Sequence, residues 1–207
     1  NHGLKALLEI AKIKGKKMLP SYVGFILGPR INATGRMGSA LESLELLLSE
    51  DPDRALSLAK SLEEHNAFRQ KVQNDIIDEA ISLVEREVNF TEHKVIVLSK
   101  EGWHKGVLGI VAARIMEKYN RPSIVISTES GLGTGSARSI DGFHLFEALQ
   151  HCALHLENFG GHKRAAGLTV KQGNIEFLRQ SINEFARERM RTEDLIPSLE
   201  LDAEIPL

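Results

Sequence analysis

The stretch that decides the fold is KVIVLSKEGWHKGVLGIVAARIMEKYNRPSIVIST, from Lys94 to Thr128. Apolar runs of strand length lie at Lys94–Ser99 and Ser123–Thr128, and helically spaced apolar residues over Val107–Tyr119 separate them. Strands that alternate with a helix of this length are typical of α/β structure. This part of the chain is therefore predicted to form an α/β domain.

The alternating pattern continues downstream. GTGSARS (Gly133–Ser139) predicts a glycine-rich strand or a turn, and Phe143–Leu156 predicts a helix. AAGLTV (Ala165–Val170) predicts a further strand, and Ile175–Met190 an amphipathic helix. We therefore expect one compact α/β domain with a mixed sheet over residues 91–191. The apolar and acidic alternation of SLELDAEIPL predicts the first strand of another domain.

Upstream, the sequence predicts helices on both sides of a glycine-rich loop. A helical pattern runs from Leu4 to Ile13, and Gly15 is expected to end it. Prolines and glycines interrupt the stretch Met18–Gly38, which we expect to be a loop. A second helix is expected over Ser39–Leu48.

A long helix is expected from Pro52 to Val88. Asp51 is a good N-cap acceptor, and proline is favourable at the first helical position. The span Glu63–Lys71 is mostly polar, so we expect the middle of this helix to be solvated. At about 1.5 Å per residue such a helix would span roughly 50 Å, which suits a rod that joins two domains.

Composition excludes several classes of protein. The 207 residues are 42% hydrophobic and 26% charged, which is typical of a globular protein. No apolar run approaches the roughly 20 residues of a membrane-spanning helix. A single cysteine, Cys152, forms no internal disulfide and fits a cytoplasmic protein. Because the chain begins at Asn1 with a helical pattern already running by Leu4, we expect a piece of a longer protein.

The net charge of -2 hides a strong partition along the chain. Residues 1–40 contain a single acid, Glu9, against seven lysines and arginines. Residues 41–92 are predominantly acidic, whereas residues 159–172 contain basic residues and no acid. Two basic segments that flank an acidic one suit a polyanionic ligand.

All four candidate binding motifs combine glycine with cationic side chains. In GTGSARS, Gly133 and Gly135 permit close approach of a backbone, and the polar residues of the motif suit phosphate oxygens; a plain hairpin turn is the alternative. These polar residues are Ser136, Arg138 and Ser139. In GWHKGVLG, His104 and Lys105 precede a helix, where an anion would be favourable. The alternative is that His104 only caps that helix.

The other two motifs are GPRINATGR and NFGGHKRAAG. The first contributes Arg30, Asn32 and Arg36, and two guanidiniums at this spacing suit phosphate or carboxylate. The second sets small residues beside His162, as expected where a ligand backbone must come close. Its two adjacent glycines are Gly160 and Gly161.

The sequence predicts binding without cleavage, and it predicts no metal site. Metal-dependent phosphodiester cleavage needs converging carboxylate and histidine ligands, and Asp141 is almost the only acid near the basic motifs. His144, His151 and His155 would share one face of the helix predicted over Phe143–Leu156. They lack a carboxylate or thiolate partner, so we favour a solvated polar face over zinc.

Taken together, GPRINATGR, GWHKGVLGIVAAR, GSARS and GGHKRAAG resemble the successive motifs of the RecJ family in the DHH phosphoesterase superfamily. The last motif resembles the DHHA1 signature, and the Arg30–Arg36 motif followed by a long helix points to RecJ. The resemblance covers nearly all of Gly3–Met190. It implies the end of a DHH domain (1–50), a connecting helix (51–90), a DHHA1 domain (91–191), and a linker with the start of an OB-fold (192–207).

This resemblance implies part of a metal-dependent 5′ to 3′ exonuclease that acts on single-stranded DNA in repair and recombination. Manganese or magnesium would be bound by residues absent from this chain, which would be inactive alone. The implied partners are single-stranded DNA, a single-strand-binding protein and a helicase, with no membrane. Two alternatives stay open: a phosphodiesterase for short oligonucleotides or cyclic dinucleotides, and a non-catalytic nucleic-acid-binding module.

The resemblance also implies a role for each motif. Arg30, Asn32 and Arg36 would line a cleft beneath the connecting helix, and GWHKG and GSARS would face that cleft from the second domain. The glycines of GGHKRAAG would approach the scissile region. His162 would hydrogen-bond a phosphate or assist proton transfer. The implied substrate-binding residues are Arg30, Asn32, Arg36, His104, Lys105, Ser136, Arg138, Ser139, Gly160, Gly161 and His162.

Overall fold

The computed structural model describes residues 1–197 and residue 203. The chain divides into two compact units: the first is Asn1–Asp75, and the second begins at Ile76. Among the described residues, no helix combines the length and the apolar character needed to cross a membrane.

The first unit is helical. Its core contains Leu7, Leu27, Leu46 and Leu62, all of which are buried. The first helix begins with a cap, because the Asn1 side chain accepts a hydrogen bond from the Leu4 amide at 2.8 Å. The helices are α1 (His2–Ile10), α2 (Pro20–Tyr22), a π-helical stretch (Val23–Leu27), α3 (Gly28–Met37), α4 (Leu41–Leu48) and α5 (Pro52–Glu87). The residues of α5 from Ile76 onward belong to the second unit.

The loop expected over Met18–Gly38 is wrong, because most of this stretch is helical. Pro20 lies at the first position of α2, where a missing N–H removes no helical hydrogen bond. Pro29 is the second residue of α3, which continues the preceding π-helical stretch without a break. Thr34 of α3 is buried, and its hydroxyl lies 2.7 Å from the hydroxyl of Ser43 on α4. Packing against α4 therefore stabilises a helix that its glycine content argued against.

One predicted helix boundary is wrong and another agrees with the structure. Helix α1 ends at Ile10, before Gly15, because Lys12 already adopts a left-handed conformation with φ of 58°. Helix α5 begins at Pro52 as predicted, and the Asp51 side chain accepts from the Asp53 amide at 2.9 Å.

The middle of α5 is not simply solvated. Asn66 and Arg69 are only 3% and 9% exposed, whereas Phe68 is 56% exposed. The buried face of the helix therefore continues through the polar span with polar side chains in place of apolar ones. The expectation of a fully solvated middle was wrong for that reason.

The second unit contains a five-stranded mixed sheet, as predicted, in the order β1-β2-β3-β5-β4. Only β1 and β2 are parallel, and the other pairs are antiparallel. The strands are β1 (Ile96–Glu101), β2 (Ser123–Glu129), β3 (Leu132–Arg138), β4 (Asn158–Gly161) and β5 (Ala165–Lys171). The main helices are α6 (Leu108–Tyr119), α7 (Leu145–His151) and α8 (Ile175–Arg189).

Helices α7 and α8 cover one face of the sheet, where Ile124, Ala137, Leu168 and Val170 join the buried core. Helix α6 packs on β2 and β3. GTGSARS is almost entirely strand, and the turn that precedes it uses Ser130 and Gly131, both with positive φ. Such a two-residue turn matches the twist of a β-hairpin.

One further prediction has wrong bounds, and another falls mostly on residues that the structure does not describe. The helix predicted over Phe143–Leu156 is shorter, because α7 ends at His151 and a separate 3-10 turn, Ala153–His155, follows. The predicted OB-fold strand falls on residues 198–207, of which the structure describes only Ala203. Residues Glu193–Leu195 form a 3-10 turn.

Candidate nucleic-acid interface

One face of the sheet carries a row formed by a serine and two glycines. Ser136 of β3 pairs with Gly167 of β5, and Gly167 pairs in turn with Gly160 of β4. Directly opposed residues of antiparallel strands point to the same side, so these three residues share one face. Burial alternates along β3, with Ala137 buried and Ser136 and Arg138 half-buried. The row therefore lies on the face opposite the α7 and α8 core.

The glycines of this row leave open space above the sheet. A Cβ atom on Gly160 would meet no atom within 4 Å, and one on Gly167 would meet only the Gly135 carbonyl oxygen at 3.9 Å. Gly161 differs, because its φ is 147° and its Cβ would lie 2.3 Å from the Ala165 carbonyl oxygen. Packing within the second unit therefore demands glycine at Gly161 but not at Gly160 or Gly167.

The two glycines of GTGSARS face the opposite way. A Cβ atom on Gly133 would lie 2.7 Å from a methyl group of Ile126, and one on Gly135 would lie 3.0 Å from Leu168. Both glycines thus make room for the hydrophobic core. The interpretation that they admit a ligand backbone was wrong, because strand alternation turns their Cα hydrogens inward.

Arg138 and Ser136 meet the first turn of α6. Arg138 Nη1 donates to the Ala137 carbonyl oxygen at 2.8 Å and to Ser136 Oγ at 3.3 Å. A Cβ atom on Gly109 would lie 2.8 Å from Arg138 Nη2 and 3.1 Å from Ser136 Oγ. The fold therefore brings GSAR and GVLG together, and Gly109 is a candidate site residue that sequence reasoning missed. A glycine inside an otherwise regular helical pattern was the available signal.

Ser139 is not part of this exposed surface. It is 4% exposed, and its hydroxyl donates to the Phe143 carbonyl oxygen at 2.9 Å. Its amide donates to the Arg164 carbonyl oxygen at 2.9 Å. The side chain thus stabilises the connection between β3 and α7, and its role in substrate binding stays a prediction.

His104 and Lys105 already have protein partners. His104 Nδ1 accepts from the Gly106 amide at 3.1 Å and caps the 3-10 turn Lys105–Val107. Lys105 Nζ lies 2.8 Å from Glu129 Oε2, and this contact lowers the pKa of Glu129. Glu129 of β2 thus compensates the charge of Lys105. A surface cavity of about 480 Å³ lies here and is also lined by Trp103.

The turn between β4 and β5 fixes the ring of His162. Its Nδ1 accepts from the Arg164 amide at 3.2 Å, and its own amide donates to the Ala165 carbonyl oxygen at 2.9 Å. Because Nδ1 accepts, the neutral ring carries its proton on Nε2. Arg164 also forms an ion pair with Asp141. His162 is exposed and presents an Nε2 donor.

In the first unit, the three candidate residues of α3 behave differently. The Arg30 side chain is 17% exposed, forms an ion pair with Glu63 of α5 and donates to the Ile26 carbonyl oxygen at 2.8 Å. Asn32 and Arg36 are exposed and lie one helical turn apart. That these residues share a cleft with the sheet residues of the second unit stays a prediction.

No group of three histidine, cysteine or carboxylate side chains suited to a metal ion occurs among residues 1–197 and 203. The three histidines expected on one helix face are separated by the fold. His144 Nδ1 caps α7 by accepting from the Glu147 amide at 3.3 Å, whereas His155 stacks on Phe177 at 5.8 Å.

Comparison with known proteins assigns a domain family to the second unit. Residues 92–188 match the DHHA1 domain, which makes this chain a DHHA1-containing protein. The RecJ single-stranded-DNA-specific exonuclease of Bacillus subtilis is 42% identical over 202 residues, which cover 97% of this chain and 25% of that protein. The Escherichia coli RecJ is 37% identical over 205 residues, which cover 95% of this chain and 34% of the relative.

Solved structures agree with the sequence comparisons. The Thermus thermophilus RecJ crystal structures with Mg²⁺ and with Mn²⁺ both give a TM-score of 0.80 at 33% identity. They cover 90% of this chain, and this chain covers 28% and 27% of theirs. The chain is thus similar to RecJ exonucleases over nearly its whole length and matches the DHHA1 domain in its second unit, so the predicted resemblance and the predicted fold class are confirmed. It spans between a quarter and about a third of the length of these relatives.

Proposed function

We propose that this chain is the strand-binding part of a metal-dependent 5′ to 3′ exonuclease that acts on single-stranded DNA in repair and recombination. The names of the related proteins support the substrate class. The share of their length that the chain covers supports the view that it is one part of a larger enzyme.

The observation that carries the proposal is the row Ser136, Gly167 and Gly160 with Arg138 beside it. The two glycines leave space that the packing of the second unit does not need, so a strand can lie against the sheet backbone. Ser136 and Arg138 supply a hydroxyl and a guanidinium that can donate to phosphate oxygens. The first turn of α6 adds the positive end of a helix dipole on the same side.

His162 has two possible roles in this proposal. With Nδ1 held by the Arg164 amide, Nε2 is the nitrogen that would meet a phosphate. The neutral ring would donate a hydrogen bond there, and the protonated ring would add a positive charge. A role in proton transfer requires the reacting atoms to lie within hydrogen-bond reach of Nε2.

The described residues do not fit a divalent metal site, although related RecJ structures contain Mg²⁺ or Mn²⁺. In our proposal the metal ligands lie outside these 207 residues, and the isolated chain binds a strand without cleaving it. The residues described above bind and orient the strand, and no bond-breaking step is assigned to them. The proposal also includes a single-strand-binding protein and a helicase as partners, and a cytoplasmic location.

The test uses the complete protein with single-stranded DNA labelled at the 5′ or the 3′ end in Mn²⁺. We expect mononucleotides to be released from the 5′ end of long strands, and duplex DNA to be resistant. Preference for di- to tetranucleotides or cyclic dinucleotides would instead identify a short-substrate phosphodiesterase. Binding without any cleavage in Mn²⁺ or Mg²⁺ would identify a non-catalytic module.

A further inference from the structure

The buried face of α5 changes character in its middle. Positions on this face are spaced by three or four residues, as expected for one side of a helix. Leu58 and Leu62 precede the change, and Ile76 and Ala80 follow it, all of them buried. Between them the same face carries Asn66, Arg69 and Gln73.

Arg69 is a buried cation with neutral partners. Its Nη2 donates to Asn66 Oδ1 at 2.7 Å and its Nη1 donates to Gln73 Oε1 at 2.6 Å. Within residues 1–197 it forms no ion pair with a carboxylate. Each of these nitrogens carries a second N–H, so the two amides orient the guanidinium without exhausting its donors.

The electrostatic environment of Arg69 favours the binding of an anion beside its guanidinium. Burial lowers the pKa of Arg69, and the positive charge of Arg36 on α3 lowers it further. Removing a charged group from water is unfavourable unless an opposite charge or strong hydrogen bonds compensate. The nearby charge of Arg36 adds to that cost for Arg69, and an anion bound at the Arg69 guanidinium would offset it.

We propose that Arg69, held by Asn66 and Gln73, binds a phosphate group of the substrate together with Arg36. The planar guanidinium suits the bidentate recognition of two phosphate oxygens. Only the identification of this phosphate as part of a DNA strand rests on the function proposed above. The anion site itself follows from the buried guanidinium and its neutral amide partners.

The first experiment measures thermal unfolding of the 207-residue chain in phosphate and in chloride at equal ionic strength. Arg69→Gln removes the charge, Arg69→Lys keeps it without the planar fork, and Lys71→Gln removes an exposed cation from the same helix. We expect phosphate to raise the Tm of the wild type and of Lys71→Gln, but not that of Arg69→Gln. In chloride, Arg69→Gln is expected to be at least as stable as the wild type, because an uncompensated charge is lost.

An equal phosphate effect on the wild type and Arg69→Gln would overturn the site, as would no effect on the wild type. If Arg69→Gln does not fold, the Arg69→Lys variant is used instead. A folded Arg69→Lys protein whose Tm rises less in phosphate than that of the wild type supports the proposal. Failure of both variants to fold would assign Arg69 a purely structural role and overturn it.

The second experiment identifies the source of the phosphate. Binding of a single-stranded oligonucleotide is compared with binding of one in which methylphosphonates replace the charged linkages. Arg69→Gln should weaken binding of the charged strand by about tenfold or more. It should also reduce the slope of log K against log salt by about one. The Lys71→Gln variant should show neither the loss of affinity nor an equal change in slope.

The two proposals can fail separately. If the wild type responds to inorganic phosphate but binds no oligonucleotide, the proposed function fails and the anion site stands. If the wild type binds the oligonucleotide and Arg69→Gln binds it equally well, the assignment of Arg69 to the strand is overturned while the proposed function stands.

Discussion

Trp103 donates its indole N–H to Glu79 Oε2 at 2.7 Å, which ties the segment after β1 to the C-terminal half of α5. The Trp103 side chain is buried, and Lys100 Nζ lies 2.8 Å from the same carboxylate oxygen. A single carboxylate therefore satisfies a buried donor and a surface cation. This contact holds GWHK, one of the candidate binding motifs, in place within the second unit.

Replacing Glu79 with alanine should lower stability by about 1 to 2 kcal/mol, because the buried indole N–H loses its acceptor. Glu79→Gln should cost less, since the amide oxygen can still accept that hydrogen bond. Urea unfolding followed by tryptophan fluorescence measures both changes. Asp78→Ala is the matched control at an exposed neighbouring position. Equal stability of Glu79→Ala and Asp78→Ala would contradict this role.

The stability contributed by Glu79 should depend on pH. Hydrogen bonds from Lys100 and Trp103 hold the pKa of Glu79 below its usual value of 4.5. A lowered folded-state pKa means that the stabilisation is present above the unfolded-state value and is lost as pH falls through the folded-state value. The stability difference between the wild type and Glu79→Gln should therefore be constant from about pH 6 to 7 and shrink below about pH 4. A constant difference down to pH 3 would be inconsistent with this linkage.

A side chain at Gly160 should block strand binding without affecting folding. Gly160→Leu projects into space that is open in the structure, so its Tm should match that of the wild type within about 2 °C. Affinity for a single-stranded oligonucleotide should fall by about tenfold or more. Gly173→Leu is the control, because a Cβ on Gly173 also meets no atom within 4 Å but lies in the turn after β5. Equal affinities of the two variants would remove Gly160 from the interface.

Arg30 and Arg36 lie on the same helix and should respond differently to substitution. Arg30→Ala breaks the ion pair with Glu63, and we expect it to destabilise the chain by about 1 to 3 kcal/mol. Arg36→Ala, at an exposed position, should change stability by no more than about 1 kcal/mol while reducing the salt dependence of DNA binding. Chemical unfolding and fluorescence anisotropy separate the two effects. A destabilised Arg36→Ala with unchanged binding would reverse the assignment.

Much of the fold could be predicted because periodicity reports burial directly. Apolar runs and helical spacing indicated β1, β2, α6 and α8 within a few residues of their observed bounds. The Met18–Gly38 stretch could not be predicted in this way. Its helical conformation depends on packing against α4, and a local glycine or proline count does not contain that information.

The candidate site was predictable by motif but not by side-chain direction. Sequence reasoning selected Ser136, Arg138 and Ser139 together. In the structure Ser136 and Arg138 are half-buried on one face of β3, whereas Ser139 follows the end of that strand and is buried. Sequence reasoning missed Arg69, because a charged residue in a polar span is usually solvated. The burial of Arg69 depends on the helix packing of the first unit, which the local sequence does not specify.

Ser136 and Ser139 provide the sharpest test of the interface, because they belong to one motif and differ in environment. Ser139→Ala removes a buried donor from the Phe143 carbonyl oxygen, so stability should fall by about 1 to 2 kcal/mol with unchanged DNA affinity. Ser136→Ala removes a half-buried hydroxyl on the glycine face, so affinity should fall by about threefold to tenfold with little loss of stability. Urea unfolding and oligonucleotide anisotropy on both variants measure the two quantities independently. Because the same chemical group is deleted each time, a result in which Ser139→Ala weakens binding more than Ser136→Ala would place the strand on the other side of β3.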